Sequence, residues 1–239
     1  MGGVAIHVAA AWIASSKAPR DGKVGQLQSV RLCVSQANDS TAGFFGKIPV
    51  RGDFVRSGLS RELVAAWDGW FSNVGDVSRS AMGEAWVPAW MEAPVWRFAL
   101  PDAMCGPPAV LGLWLPSVDR VGRHFPLMFA TSCPGAAPAQ MARRGIAWLD
   151  AVEDAGRAAL TDDLSPDELA ALIPPAPDLA HAPETDLPHG MIPRPGAGMW
   201  WTEGSPRVPA QGLVLDAMPD TATFVAMLDA SFGVPRGAG

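Results

Sequence analysis

The chain has 239 residues and is 49% hydrophobic, enough to bury a substantial core, which excludes global disorder. With 18% charged residues and a net charge of −6, it carries no basic surface large enough to hold a nucleic-acid backbone. Ten tryptophans with no tyrosine, and fifteen arginines against three lysines in an Ala-, Gly- and Pro-rich background, read as coding-sequence bias rather than chemistry.

Residues 1–42 read as a poorly ordered leader or a start assigned too far upstream. Their apolar run, VAIHVAAAWIA from Val4 to Ala14, is too short to span a bilayer. It also lacks the basic segment that precedes the apolar core of a secretory signal. Cys33, Cys105 and Cys133 are odd in number and widely spaced, with no CxxC. They read as isolated reduced thiols of a cytosolic protein, not as a disulfide framework or a zinc site.

From Gly43 the pattern tightens into GFFGKIPVRGDFV, residues 43–55. A phosphate-binding P-loop is excluded by spacing: Thr41 stands where its first glycine belongs, and Ile48 replaces the Ser or Thr that follows the lysine. The glycines instead suit a tight passage into or out of a strand. Phe44 and Phe45 then point to opposite sides, one of them into the core, and Lys47, Arg51 and Asp53 rim the loop.

Next, SRELVAAWDGWF predicts a helix capped at or near Ser60, with Leu63, Trp67 and Trp70/Phe71 at helical spacing. A second helix is predicted between Asp76 and Met91, bent or ended by Pro88. The period then changes. VWRFAL (95–100) alternates, with Trp96, Phe98 and Leu100 on one face and Arg97 on the other. AVLGLWLP (109–116) is continuously apolar, as a strand covered on both faces would be. HFPLMFAT (124–131) follows after a short loop and predicts an antiparallel hairpin, with Pro126 marking an edge strand or a late entry.

Residues 138–160 return to helical spacing through Ile146, Leu149 and Val152, and SPDELAALI is a short helix with a capping box from Ser165 to Glu168. The Pro-rich stretch at about 174–198 reads as a long exposed loop or linker. MWWTE (199–203) and GLVLD (212–216) predict two more strands. The first is placed at an edge, so that only one of Trp200 and Trp201 faces the core and the other is exposed or covered by the Pro-rich stretch. A helix over about 220–232 closes the chain, with Phe224, Met227 and Leu228 buried.

No HExxH, GxSxG or complete GxGxxG occurs. His181 and His189 lack companions at metal-ligand spacing, Asp162 and Asp163 suit a solvated turn, and His124 reads as a structural histidine. No metal, cofactor or triad is indicated. Two polar clusters remain: Lys47, Arg51 and Asp53, and the loop PSVDRVGRHFP with Ser117, Asp119, Arg120 and Arg123. Asp–Arg pairs can hold a loop's shape, and a rigid loop can also present a recognition surface. The clusters are complementary in charge and are expected to meet, with Asp53 or Asp119 paired to Arg51, Arg120 or Arg123. The competing reading is a small hydrolase or transferase acting on an anionic substrate through Asp119, Arg120, Arg123 and His124, with Ser117 beside them.

GFFGKIPVRGDFV, APVWRFAL, LPSVDRVGRHFPL and MWWTE, in this order, resemble the TagF family of type VI secretion-associated proteins from about Gly43 to the last helix. The resemblance implies a single α+β domain over 43–239, a mostly antiparallel sheet flanked by helices, similar to longin- or profilin-like domains. It implies a cytoplasmic regulator, not an enzyme, that represses secretion post-translationally through the forkhead-associated (Fha) scaffold protein. No nucleic acid and no membrane insertion are expected. Some members of the family are fused to a serine/threonine phosphatase domain, which is not expected within these 239 residues.

Overall fold

The computed structural model describes residues 42–232, so the readings made for the leader, its apolar run and Cys33 lie outside the described residues. Seven strands form one antiparallel sheet: β1 (Ala42–Gly46), β2 (Val55–Ser57), β3 (Trp96–Leu100), β4 (Val110–Leu115), β5 (Leu127–Ser132), β6 (Gly198–Thr202) and β7 (Gln211–Leu215). Their spatial order is β2-β1-β5-β4-β3-β6-β7. The α+β class and the antiparallel sheet follow the expectation from sequence. The predicted β4–β5 hairpin is present, with Trp114 opposite Met128 and Leu113 opposite Phe129.

Helices cover both sides. On one face, Trp96, Phe98, Trp114, Met128 and Trp200 pack with residues of α1 (Arg61–Met82), α2 (Trp86–Met91) and α6 (Thr221–Leu228) in a single aromatic core. Gly112 leaves room there, since a Cβ on it would lie 2.5 Å from the Phe98 ring. The opposite face is covered by α3 (Pro138–Arg144) and α4 (Ile146–Thr161), followed by α5 (Pro166–Leu172). Arg97 emerges on that side, as the alternation predicts, and its guanidinium meets Glu153 at 2.7 Å and Asp150 at 2.8 Å.

Double coverage corrects several expectations. Phe44 and Phe45 do point to opposite faces, but both are buried, Phe44 beside Phe129 and Phe45 in the aromatic core. Strand β6 is not an edge: it lies between β3 and β7, and Trp200 and Trp201 are both buried. Met191, from the Pro-rich stretch, packs over Gly212, the residue opposite Trp201. Pro126 precedes an interior strand, so late entry is the correct alternative.

Helix boundaries also differ. Ser60 caps α1 by accepting from Leu63 N at 3.1 Å. The helix then runs unbroken to Met82, because Val74, Ser78 and Met82 continue its buried stripe at four-residue spacing. The break comes at Gly83, φ +56, and Pro88 sits harmlessly in the first turn of α2. Gly145 divides the predicted 138–160 helix in two. The Ser165–Glu168 capping box forms as expected. The Pro-rich stretch is tied down rather than free: Arg144 donates to Ala182 O at 2.9 Å and Arg194 to Val214 O at 3.0 Å.

Trp96→Ala and Trp114→Ala are each expected to cost about 3–5 kcal/mol in urea melts, as large-to-small aromatic changes in cores do. Trp200→Ala and Trp201→Ala should both fall in that range, because each fills a covered face. A cost under about 1 kcal/mol at Trp201, the level of surface substitutions, would show that face to be open.

Candidate functional site

The two polar clusters meet at the end of the sheet where β1 leaves and the β4–β5 loop returns. Gly46, φ +149, lets the chain pass the neighbouring strand: a Cβ there would lie 2.0 Å from Pro126 O. The chain then carries Lys47 inward. Ser117 receives it, its Oγ donating to Lys47 O at 2.7 Å while its own carbonyl accepts from Phe125 N at 3.1 Å and Trp90 Nε1 at 3.2 Å.

Asp119 is the hub of this arrangement. Its Oδ2 accepts from Lys47 Nζ at 2.6 Å and from Arg123 Nε at 2.7 Å. Its Oδ1 accepts from Val121 N at 3.0 Å and from Arg123 N at 2.9 Å, an Asx-type closure of the loop. Main-chain bonds from Asp119 N to Arg123 O and from Gly122 N to Asp119 O complete the turn, which Gly122 permits at φ +87. The other stretch is joined to it by Arg120 N donating to Arg51 O at 3.1 Å and by the Arg123 guanidinium donating to Gly52 O.

The expected meeting of the clusters is thus present, with Asp119 paired to Arg123. Lys47 departs from expectation. It does not rim the loop but is 4% exposed, as is Asp119, with its ammonium 4.6 Å from the centre of the Phe54 ring. Arg51, Asp53, Arg120 and Arg123 are exposed, and Asp53 has no ion-pair partner among the described residues.

Burial alone would raise the Asp119 carboxyl. The Lys47 hydrogen bond, then the backbone and side chain of Arg123 and the Val121 N–H, hold it well below the usual carboxylate range. His124 stands edge-on to Trp86 and Trp90, and partial burial, aided by Arg79, lowers its pKa. Arg79 lies 4.0 Å over the Trp86 ring.

Phe54 was not singled out from sequence. It stacks on Phe45 at 5.4 Å and meets Phe125 edge-on at 4.7 Å, yet stays 49% exposed. Its isolation among charges in RGDFVR was the available signal. Elsewhere, His181 pairs with Asp178, His189 lies 3.7 Å from Glu203, and Cys105 and Cys133 are buried free thiols. Among the described residues, no His, Cys, Asp and Glu group is placed to hold a metal ion, and no helix is long and apolar enough to cross a membrane.

A seven-stranded antiparallel sheet under two helical layers, with a loop locked by a buried carboxylate, defines an α+β domain whose polar end is built for rigidity. The family model for the TagF N-terminal domain, type VI secretion system-associated, matches residues 43–174. The chain therefore belongs to the TagF N-terminal domain family. It is also similar to PA0076 from Pseudomonas aeruginosa PAO1, whose crystal structure is known at 2.05 Å, with 28% identity and a TM-score of 0.66. That similarity covers 83% of this chain and 99% of the other. Among curated proteins, none matches the sequence.

Because the Asp119 pKa is depressed by folding, its contribution to stability is complete above the unfolded carboxylate value, about 3.9. It is lost as pH falls from there toward the folded value. Asp119→Asn should cost about 3–5 kcal/mol at neutral pH, since it strands a buried ammonium. It should also flatten the acid limb of stability against pH below about pH 4. An acid limb as steep as that of the unaltered chain would show that Asp119 is not the titrating group.

Proposed function

We propose that this protein is a non-enzymatic regulator that restrains type VI secretion from the cytoplasm by binding the forkhead-associated scaffold of the secretion system. Membership of the TagF N-terminal domain family places it with type VI secretion. The repressor role and the scaffold partner come from the resemblance of GFFGKIPVRGDFV and SVDRVGRHFPL to that family.

The observation that carries the binding reading is how the reactive groups are used. A hydrolase built on this loop would need Ser117, Asp119 or His124 facing a substrate. Instead the Ser117 hydroxyl is committed to Lys47 O, both Asp119 oxygens are filled, and His124 packs perpendicular to the Trp86 and Trp90 rings. The same bonds make the loop stiff, which lowers the ordering cost of presenting its exposed side chains to a partner. Exposed charges of this kind set orientation and on-rate, while an apolar anchor supplies much of the affinity.

The test is overexpression in a host with active type VI secretion, reading the secreted tube protein, together with co-purification of the scaffold. Reduced secretion with the scaffold recovered is the expected outcome. Arg120→Glu should weaken both effects without unfolding the chain, because its side chain is exposed. Arg123→Glu is the poorer probe, since it sets a carboxylate against Asp119 and disturbs the fold directly. Unchanged secretion with no scaffold recovered would return the hydrolase reading to the front.

A further inference from the structure

The two joined loops are charged against the rest of the molecule. Residues 47–56 and 117–124 hold five cations, Lys47, Arg51, Arg56, Arg120 and Arg123, and two carboxylates, Asp53 and Asp119, in a chain of net charge −6. Asp119 has no capacity left for a further cation. Its oxygens already take Lys47, the Arg123 side chain and two backbone N–H groups, so the trio of buried Lys47, buried Asp119 and exposed Arg123 keeps a net positive charge.

Arg51 and Arg120 come from adjacent backbone, tied by the bond from Arg120 N to Arg51 O, and both are exposed. Neither has a carboxylate partner within ion-pair distance among the described residues. Two cations without carboxylate partners, carried on adjacent backbone, raise the local potential and attract an external anion. The same two loops carry two apolar side chains that the fold leaves in water, Phe54 at 49% and Val121 at 65% exposure. Phe54 is braced from behind by Phe45 and Phe125, so it is a preformed anchor rather than a loose side chain.

We propose that this face, centred on Arg51, Arg120 and Phe54, docks an acidic segment of a protein partner, one that supplies Asp or Glu to the arginines and a bulky apolar residue to Phe54 and Val121. The proposal rests on the reading of the chain as a protein-binding regulator and names the surface and chemistry that reading leaves open. The overall negative charge turns an acidic partner away from other faces, which makes this end the electrostatically favoured approach. The patch is too small and too apolar at its centre to track a nucleic-acid backbone.

The probe is a short fluorescent peptide of Asp and Glu with a single Phe, titrated into the full chain by anisotropy. It should bind, weaken as salt rises, and lose at least about tenfold in affinity to Arg51→Glu/Arg120→Glu. Arg51→Gln/Arg120→Gln gives a second measure without introduced repulsion, and thermal melts accompany each variant. Phe54→Ser should weaken binding with the salt dependence retained, Asp53→Asn should tighten it, and Arg194→Glu at the β7 edge should change nothing. Absence of peptide binding, binding insensitive to both arginine variants, or preferential capture of phosphatidylserine vesicles or single-stranded DNA through the same arginines would overturn the proposal. Scaffold recovered equally with the unaltered chain and Arg51→Glu/Arg120→Glu would remove this surface while leaving the regulator reading standing. Peptide binding at the arginines with no scaffold recovered would do the reverse.

Discussion

The Lys47–Asp119 ion pair joins segments 72 residues apart, and each ion is buried only because the other is there. Such a pair is a weak source of net stability, since desolvation offsets much of the attraction. Its effect is on uniqueness. Both carboxylate oxygens can be filled only when β1 exits inward at Gly46, the Asp119–Arg123 turn is closed, and Ser117 grips the Lys47 carbonyl. A register slip between β1 and β5 would strand two charges away from water at once, which is far costlier than the loss of a few apolar contacts. The ion pair therefore selects one docking of the loops and leaves the bulk of the stability to the sheet.

That stability is supplied on two faces of different character. One is an aromatic core in which Trp67, Phe98, Trp114 and Trp200 interlock with helices α1 and α6. The indole N–H groups of Trp67, Trp114 and Trp200 have no hydrogen-bond partner among the described residues. The other face mixes aliphatic side chains with Phe44, Phe129 and Trp201 and carries Arg97, which Glu153 and Asp150 of α4 neutralise. Helix α4 can approach closely because Gly156 has no side chain, where a Cβ would lie 2.6 Å from Leu115. Pairing Glu153 and Asp150 with Arg97 favours one seating of α4 on the sheet, so charge helps to orient the fold at its polar end and on the α4 side.

The sequence made the strands and caps legible wherever a local rule decides them. The alternation of VWRFAL, the continuous AVLGLWLP and the Ser165–Glu168 box all rest on nearest neighbours and came out as read. Expectations failed where tertiary packing decides. One face or two could not be told from WW or FF alone, because each needs knowledge of the layer that covers it. Gly83, rather than Pro88, ends α1 because the buried stripe continues to Met82, which only the packed helix displays. The Asp119–Arg123 contact was within reach of sequence, being four residues apart in a Gly-containing loop. The inward turn of Lys47 was not, since no local pattern distinguishes a lysine that pairs 72 residues away from one that reaches solvent.

Most of GFFGKIPVRGDFV serves the fold, and a few of its side chains do not. Gly43 and Gly46 are needed because backbone crowds them: added Cβ atoms would lie 1.9 Å from Ser57 O and 2.0 Å from Pro126 O. Phe44 and Phe45 fill the two faces, Ile48 and Val55 are buried, and Lys47 meets Asp119. Arg51 and Gly52 contribute carbonyls that hold the opposite loop, a task indifferent to the Arg51 side chain. That leaves the Arg51 guanidinium, the Asp53 carboxylate and the outer half of Phe54 without a use inside the fold. The opposite loop divides the same way, with Asp119 and Arg123 used internally and Arg120 and Val121 left outward. The two loops are stiffened by their inner residues and joined through the Arg51 and Gly52 carbonyls, so the backbone that carries the unused side chains is set before any partner arrives.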